Sequence, residues 1–116
     1  MRNKREYADY LHDIAEYSGK VLFFIEGCEF EAFKSNDEKV LAVLHALEII
    51  GEATKKIPAN LKNKYPDIPW KAISGMRDKI IHEYFGMDLE VVWGTLKKDL
   101  PILRQVVEKM LREIGE

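Results

Sequence analysis

The sequence predicts an all-α protein, folded as an antiparallel bundle of four to five helices. Along most of the chain, apolar residues recur at steps of three and four, the period of an amphipathic helix. No segment alternates apolar and polar residues as a half-buried β-strand would. Glycine and proline interrupt the periodic segments at short intervals, and short loops join antiparallel neighbours.

The first predicted helix covers residues 4–26 and ends at Gly27. A short apolar patch, Phe30 with Phe33, precedes a second long helix from about residue 37 to 57. The periodic residues of the first helix are Tyr7, Tyr10, Leu11, Ile14, Tyr17, Val21, Phe24 and Ile25, and those of the second are Val40, Val43, Leu44, Leu47, Ile50, Gly51 and Thr54. Both helices are therefore expected to turn one face to the core.

Proline marks the next boundaries. Residues 59–65, after Pro58, are expected to form one or two helical turns, and Pro69 is placed to open a third long helix that stops at Gly86. That helix is predicted to direct Trp70, Ile73, Ile80, Ile81 and Tyr84 towards the core.

Two further helices are predicted near the end of the sequence. Asp88 can cap a fourth helix that continues through Leu96. Pro101 is expected to open a fifth helix, whose apolar residues are Leu103, Val106, Val107, Met110 and Leu111.

Length and composition suit one globular domain over residues 1–116, with 47% apolar and 33% charged residues. Cys28 is the only cysteine, so the chain can form no intrachain disulfide. No apolar run approaches the length of a membrane span, and the first residues lack the apolar core of a signal peptide. A cytoplasmic location without membrane attachment is expected.

Charge is distributed unevenly along the chain. The net charge is −2, yet residues 55–82 contain seven lysines and arginines against two aspartates, a local net charge of +5. These lysines are either ordinary solvated helix surface or a face for an anionic ligand. Under the second interpretation, Lys71 and Lys79 are candidates for RNA contacts.

The chemically informative segment is Arg77-x4-His82-x-Tyr84. A guanidinium is a permanent cation suited to a phosphodiester, and an imidazole can move protons near neutral pH. Cleavage of RNA by its own 2′-hydroxyl needs these two functions. We therefore take Arg77 and His82 as candidate catalytic residues.

Helical geometry relates these residues to one another. Arg77 and Tyr84 lie on one face, and Asp78, one turn before His82, could orient the imidazole. Arg77 and His82 lie about 140° apart around the helix, so the helix by itself does not make them converge. A composite site across a dimer interface would bring them together.

Structural alternatives exist for each of these residues. Arg77 could pair with a carboxylate such as Glu52, His82 could simply stabilise a helix C-terminus, and Tyr84 could be a core residue. His45, Glu48 and Glu52 resemble a metal-ligand line, but one helix supplies too few ligands. No metal site and no cofactor are expected.

Several segments taken together resemble the HepT-like family of the HEPN superfamily. They are residues 46–53 (Ala-Leu-Glu-Ile-Ile-Gly-Glu-Ala), 65–70 (Tyr-Pro-Asp-Ile-Pro-Trp), 77–84, Trp93 and 99–101 (Asp-Leu-Pro). Their order and spacing cover nearly the whole chain, which makes the combination far more specific than Arg-x4-His alone.

The resemblance implies a dimeric helical toxin that cleaves RNA and is neutralised by a minimal nucleotidyltransferase antitoxin. By the same resemblance, Arg77 contacts the scissile phosphate, His82 acts as general acid or base, and Tyr84 receives adenylyl units from the antitoxin. Asp78 stands where related proteins often have asparagine. A metal-independent endoribonuclease is the expected function, and a module of the same fold that binds RNA, a nucleotide or the antitoxin without cleavage is the alternative.

Overall fold

The computed structural model describes residues 4–83 and 86–116, and within those residues it is helical with no β-strand. The helices are α1 (Lys4–Phe24), α2 (Phe30–Lys34), α3 (Asp37–Lys55), α4 (Ala59–Lys62), α5 (Trp70–His82), α6 (Leu89–Gly94) and α7 (Leu100–Glu113). A π-helical turn, Thr95–Asp99, joins α6 to α7. The all-α prediction is confirmed.

Local signals account for several helix ends. Gly27, with φ of 70°, lies just beyond α1 in the left-handed region that favours glycine. The Asn36 side chain accepts a hydrogen bond from the Lys39 amide at the start of α3, and Asp88 accepts from the Glu90 and Val91 amides at the start of α6. The predicted capping role of Asp88 is confirmed.

The four long helices form the body of the protein. Helix α3 packs between α1 and α5, and α1 packs on its other side against α7. Helix α2 covers one end by contacting α3 and α6, where Phe33 is fully buried with its ring centroid 5.1 Å from that of Trp93. The apolar faces therefore meet in one continuous core.

The two C-terminal helices begin where the sequence predicts, α6 after Asp88 and α7 with Pro101 in its first turn, but no loop separates them. Helix α6, the π turn and α7 form one continuous helical segment from Leu89 to Glu113. In the π turn, the Leu100 amide donates to the Thr95 carbonyl, five residues earlier. This wider turn gives room to the ring of Pro101, which would otherwise clash with the carbonyl four residues before it. Pro101 is thus accommodated within a helix.

The end of α5 also differs from the prediction. The helix ends at His82, four residues before Gly86, and Glu83 leaves the helical conformation with φ of −125°. Ile81 is 51% exposed, so its predicted place in the core is wrong, whereas Ile73 and Ile80 are buried. The side chains of residues 81–83 are all exposed. Because most helical stability in proteins comes from packing of a buried face, little favours a longer helix here. Tyr84, also predicted to face the core, lies outside the described residues.

Among the residues that the structure describes, no helix is both long and apolar enough to cross a membrane.

Candidate functional site

The candidate site is built on a close contact between α3 and α5. A Cβ added at Gly51 would lie 2.7 Å from the Arg77 Cβ and 3.2 Å from the Ile73 carbonyl oxygen. Only a residue without a side chain allows the two backbones to approach this closely. Gly51 therefore determines how far Arg77 stands from the acidic side chains of α3.

Arg77 is held by two carboxylates. Its Nε lies 3.2 Å from Oε2 of Glu52, on α3, and its Nη1 lies 3.2 Å from Oδ1 of Asp78. The side chain remains 37% exposed, and within the described residues its Nη2 has no hydrogen-bond partner. The pairing with Glu52 that the sequence allowed is present, and it leaves one edge of the guanidinium facing solvent.

Asp78 belongs to the same ion-pair cluster. Its Oδ1 also accepts a hydrogen bond of 2.9 Å from Lys55 Nζ, on α3. The hydrogen bond from Lys55, followed by that from Arg77, holds the pKa of Asp78 below its ordinary value of 3.8. Among the described residues, no hydrogen bond or ion pair joins Asp78 to His82, so this carboxylate holds Arg77 and not the imidazole.

His82 occupies the last position of α5 and is exposed. Within the described residues it has neither a hydrogen-bond partner nor an ion pair. The guanidinium of Arg77 turns towards α3, whereas His82 projects from the opposite side of the helix, as five residues of helical spacing require. One chain thus does not bring its own arginine and histidine together. The third motif residue, Tyr84, lies outside the described residues.

An acidic groove of about 300 Å³ borders Arg77 on the α1 side. Its lining residues are Tyr10, Asp13, Glu48, Ile49, Glu52, Ala53, Arg77 and Ile81. Desolvation, followed by the nearby charges of Glu16 and Asp9, raises the pKa of Asp13 above its ordinary value of 3.8. The sequence analysis did not identify Asp13. A single exposed aspartate on an amphipathic helix gives no indication of which side chains of a neighbouring helix will lie beside it.

A second groove, of about 510 Å³, lies between α5 and the segment formed by α6 and the π turn. Its lining residues are Lys71, Ala72, Ile73, Gly75, Met76, Lys79, Val91, Thr95 and Asp99. The structure therefore brings the two candidate RNA-binding lysines, Lys71 and Lys79, to one groove on the side of α5 away from Arg77.

Comparison with known proteins identifies the family. The family model described as "Ribonuclease HepT-like" matches residues 7–110. The "Probable ribonuclease HepT" of Thermococcus cleftensis is 47% identical over 107 residues, which cover 92% of this chain and 97% of that protein. The chain belongs to the HepT-like ribonuclease family.

Further relatives support the same family assignment. A protein of Methanocaldococcus jannaschii provisionally named an RNase is 44% identical over 111 residues, which cover 96% of this chain and 92% of the relative. A similarly named protein of Caldanaerobacter subterraneus is 36% identical over 113 residues, which cover 97% of this chain and 98% of the relative. No solved structure matches. The predicted resemblance to the HepT-like family is confirmed.

In this HepT-like chain, the metal-like line His45, Glu48 and Glu52 does not gather into a cluster. Across residues 4–83 and 86–116, no three histidine, cysteine, aspartate or glutamate side chains lie close enough together to hold a metal ion. Glu52 instead forms ion pairs: its Oε2 lies 3.2 Å from Nε of Arg77, and its Oε1 lies 3.9 Å from Nζ of Lys56.

Proposed function

We propose that this HepT-like protein is an endoribonuclease toxin of a toxin–antitoxin pair that cuts RNA without a metal, using Arg77 and His82. The observation that carries the proposal is an arginine on α5 that is fixed by two carboxylates and keeps one edge exposed, in a chain whose relatives are named ribonucleases. The exposed histidine five residues later supplies the second function that the chemistry needs.

Arg77 suits the role of stabilising charge on the phosphate. In 2′-hydroxyl attack on the neighbouring phosphodiester, negative charge builds on the non-bridging oxygens in the transition state. A guanidinium stays protonated and offers several donors in a rigid plane. Glu52 pairs with Nε and Asp78 with Nη1, so Nη2, which has no partner among the described residues, keeps its N–H groups available to the substrate.

His82 suits the role of general acid or base. It is exposed at the end of α5, where an RNA strand can reach it. As a base it would take the proton from the 2′-hydroxyl, and as an acid it would give a proton to the departing 5′-oxygen. The products of this reaction are a 2′,3′-cyclic phosphate and a 5′-hydroxyl.

We further propose that the active unit is a dimer. Arg77 and His82 of one chain point to different sides of α5, about 140° apart. A second copy packed near the end of α5 could place its own Arg77 opposite the His82 of the first. Each site would then combine residues of two chains.

The resemblance to HepT-like toxins also supports a nucleotidyltransferase antitoxin that adenylylates Tyr84. Added phosphate groups would place negative charge two residues from His82 and repel the phosphates of RNA. In this proposal, modification by the partner blocks the site electrostatically.

The test is a cleavage assay on unmodified protein in excess EDTA with a mixed RNA pool. We expect the wild type to form 2′,3′-cyclic phosphate ends and His82→Ala to lose at least about a hundredfold in rate, the usual contribution of general acid–base catalysis. His12→Ala is a matched control, because His12 is an exposed histidine on α1 that pairs with Glu116 and lies outside the candidate site. Equal cleavage by His82→Ala and wild type would remove His82 from the mechanism.

The alternative is a non-cleaving module that binds RNA. The ion pairs of Arg77 with Glu52 and Asp78 favour this alternative over cleavage. An arginine whose charge is offset by two carboxylates is also expected where the residue has a structural role and takes no part in catalysis. Under this alternative the wild type binds RNA in the same assay but forms no new ends.

A further inference from the structure

We propose that the groove between α5 and the π turn, lined by Lys71, Gly75, Met76, Lys79 and Asp99, holds the single-stranded RNA that flanks the cleavage site. Bases would enter the groove, and their phosphates would lie on Lys71 and Lys79. This inference rests on the proposed function in taking RNA as the substrate. It adds the path that the RNA strand takes over the protein surface.

The first argument is the shape and chemistry of the groove. A volume of about 510 Å³ falls within the range of small-molecule binding sites. Its floor is largely apolar, with Ile73, Met76 and Val91, so the flat apolar face of a base is removed from water when it lies on this surface. The groove is therefore matched to a base more than to a phosphate alone.

The second argument is charge. Lys55, Lys56, Lys62 and Arg77 each contact a carboxylate or a backbone carbonyl. Lys71 and Lys79 are exposed, and no ion pair joins either of them to another described residue. Their charges are therefore not neutralised by an ion pair within the part of the chain that the structure describes, and they lie along an apolar groove. This combination complements a strand with phosphates on one side and bases on the other.

The third argument is alignment along α5. Eleven residues separate Lys71 from His82, three helical turns to within about 20°, so the two lie nearly in line on the outer face and about 16 Å apart. At roughly 3.4 Å per stacked nucleotide, this distance spans four to five nucleotides. A strand cut near His82 can thus continue along α5 to Lys71.

Two further residues fit this path. A Cβ added at Gly75 would have no atom within 4 Å, so the missing side chain leaves the groove open above Met76. On the wall formed by the π turn, Asp99 presents a carboxylate, which repels phosphates but accepts hydrogen bonds from the N–H groups of bases. The phosphates are thereby directed to the lysine rim and the base edges to Asp99.

The test uses a fluorescent 2′-O-methyl RNA oligonucleotide of mixed sequence. This probe lacks the 2′-hydroxyl nucleophile and therefore binds without being cut. The first variant is Gly75→Leu, which fills the groove with a side chain that meets no protein atom at its Cβ. We expect its affinity, measured by fluorescence anisotropy, to fall about tenfold, because one base loses its apolar contact with the groove.

Gly94→Leu is the matched control. Gly94 is helical, its added Cβ would also have nothing within 4 Å, and it does not line the groove. We expect this variant to bind like the wild type. Equal affinity of Gly75→Leu and Gly94→Leu would overturn the proposal.

The second variant, Lys71→Gln with Lys79→Gln, tests the rim. Removing two phosphate contacts should lower the slope of log Kd against log salt by about 1.4, which is roughly a 25-fold loss of affinity at 0.1 M salt. Lys20→Gln with Lys34→Gln removes the same charge from exposed positions on α1 and α2 and should leave the slope unchanged. Equal slopes for the two double variants would overturn the role of the rim.

The two proposals fail separately in these experiments. If the wild type binds the probe through the groove but forms no ends from cleavable RNA, the nuclease proposal fails and the groove stands. If the wild type cleaves RNA and Gly75→Leu binds and cleaves equally well, the groove fails and the nuclease stands.

Discussion

Replacing Gly51 by alanine tests whether the α3–α5 contact positions the candidate site. The added Cβ would lie 2.7 Å from the Arg77 Cβ, and reaching 3.4 Å, where ordinary contact begins, requires the helices to separate by about 0.7 Å. The neighbouring atoms are the Ile73 carbonyl and the Arg77 amide, backbone groups that cannot rotate away. Helix α5 must therefore shift as a unit.

Two opposing contributions to the free energy of unfolding determine how far Gly51→Ala changes stability. Overpacking of this kind typically costs about 1–3 kcal/mol, and alanine in place of glycine within a helix contributes about 1 kcal/mol in the other direction. We expect Gly51→Ala to be destabilised by about 1 kcal/mol, which lowers Tm by about 4 °C. Gly94→Ala, whose Cβ meets nothing within 4 Å, should gain about 1 kcal/mol.

Thermal unfolding followed by circular dichroism measures both variants, and the RNA cleavage assay measures the consequence for the site. A displacement approaching 1 Å at Arg77 should lower the cleavage rate by up to about a hundredfold, whereas Gly94→Ala should cleave like the wild type. A Gly51→Ala protein that melts at or above the wild-type temperature would refute the packing argument. A destabilised but fully active one would refute the positioning argument.

Three further predictions follow from the same structure. Glu52→Gln should change the free energy of unfolding by less than about 1 kcal/mol, because the pair with Arg77 is partly exposed, yet lower the cleavage rate; unchanged cleavage would contradict a positioning role. Phe33→Ala should cost about 3–5 kcal/mol in urea denaturation, whereas Phe23→Ala, at a side chain 74% exposed, should stay within about 0.5 kcal/mol; similar losses for both would contradict the assigned core. Asp13→Asn should raise Tm at pH 7 but not near pH 3. The raised pKa of Asp13 means that its contribution to stability is fully present below about pH 4 and is lost as the pH rises through the folded pKa; a Tm gain independent of pH would contradict this account.

Much of the fold could be predicted from the sequence because its signals are local. The period of the apolar residues, Asn36 and Asp88 at helix starts and Gly27 after α1 act within a few residues, and the helices observed there agree with the prediction to within about two residues. The errors concern longer-range effects. Pro101 stands in the first turn of α7, as predicted, but the sequence does not show that a π turn joins this helix to α6 without a loop.

For the candidate site, the sequence alone predicts which residues carry the chemistry, namely Arg77, His82 and the lysines of residues 55–82. The segments spread along the chain also predict the family, which the family model confirms. Only the tertiary structure decided which groups meet. It pairs Arg77 and Asp78 with Glu52 and Lys55 of α3 and leaves His82 without such a partner among the described residues. It also forms the groove along which Lys71 and Lys79 of α5 lie, by packing α5 beside the π turn. The reason is physical: spacing along a helix fixes the direction of each side chain from its own axis, whereas the position and rotation of the neighbouring helix depend on how two apolar faces pack.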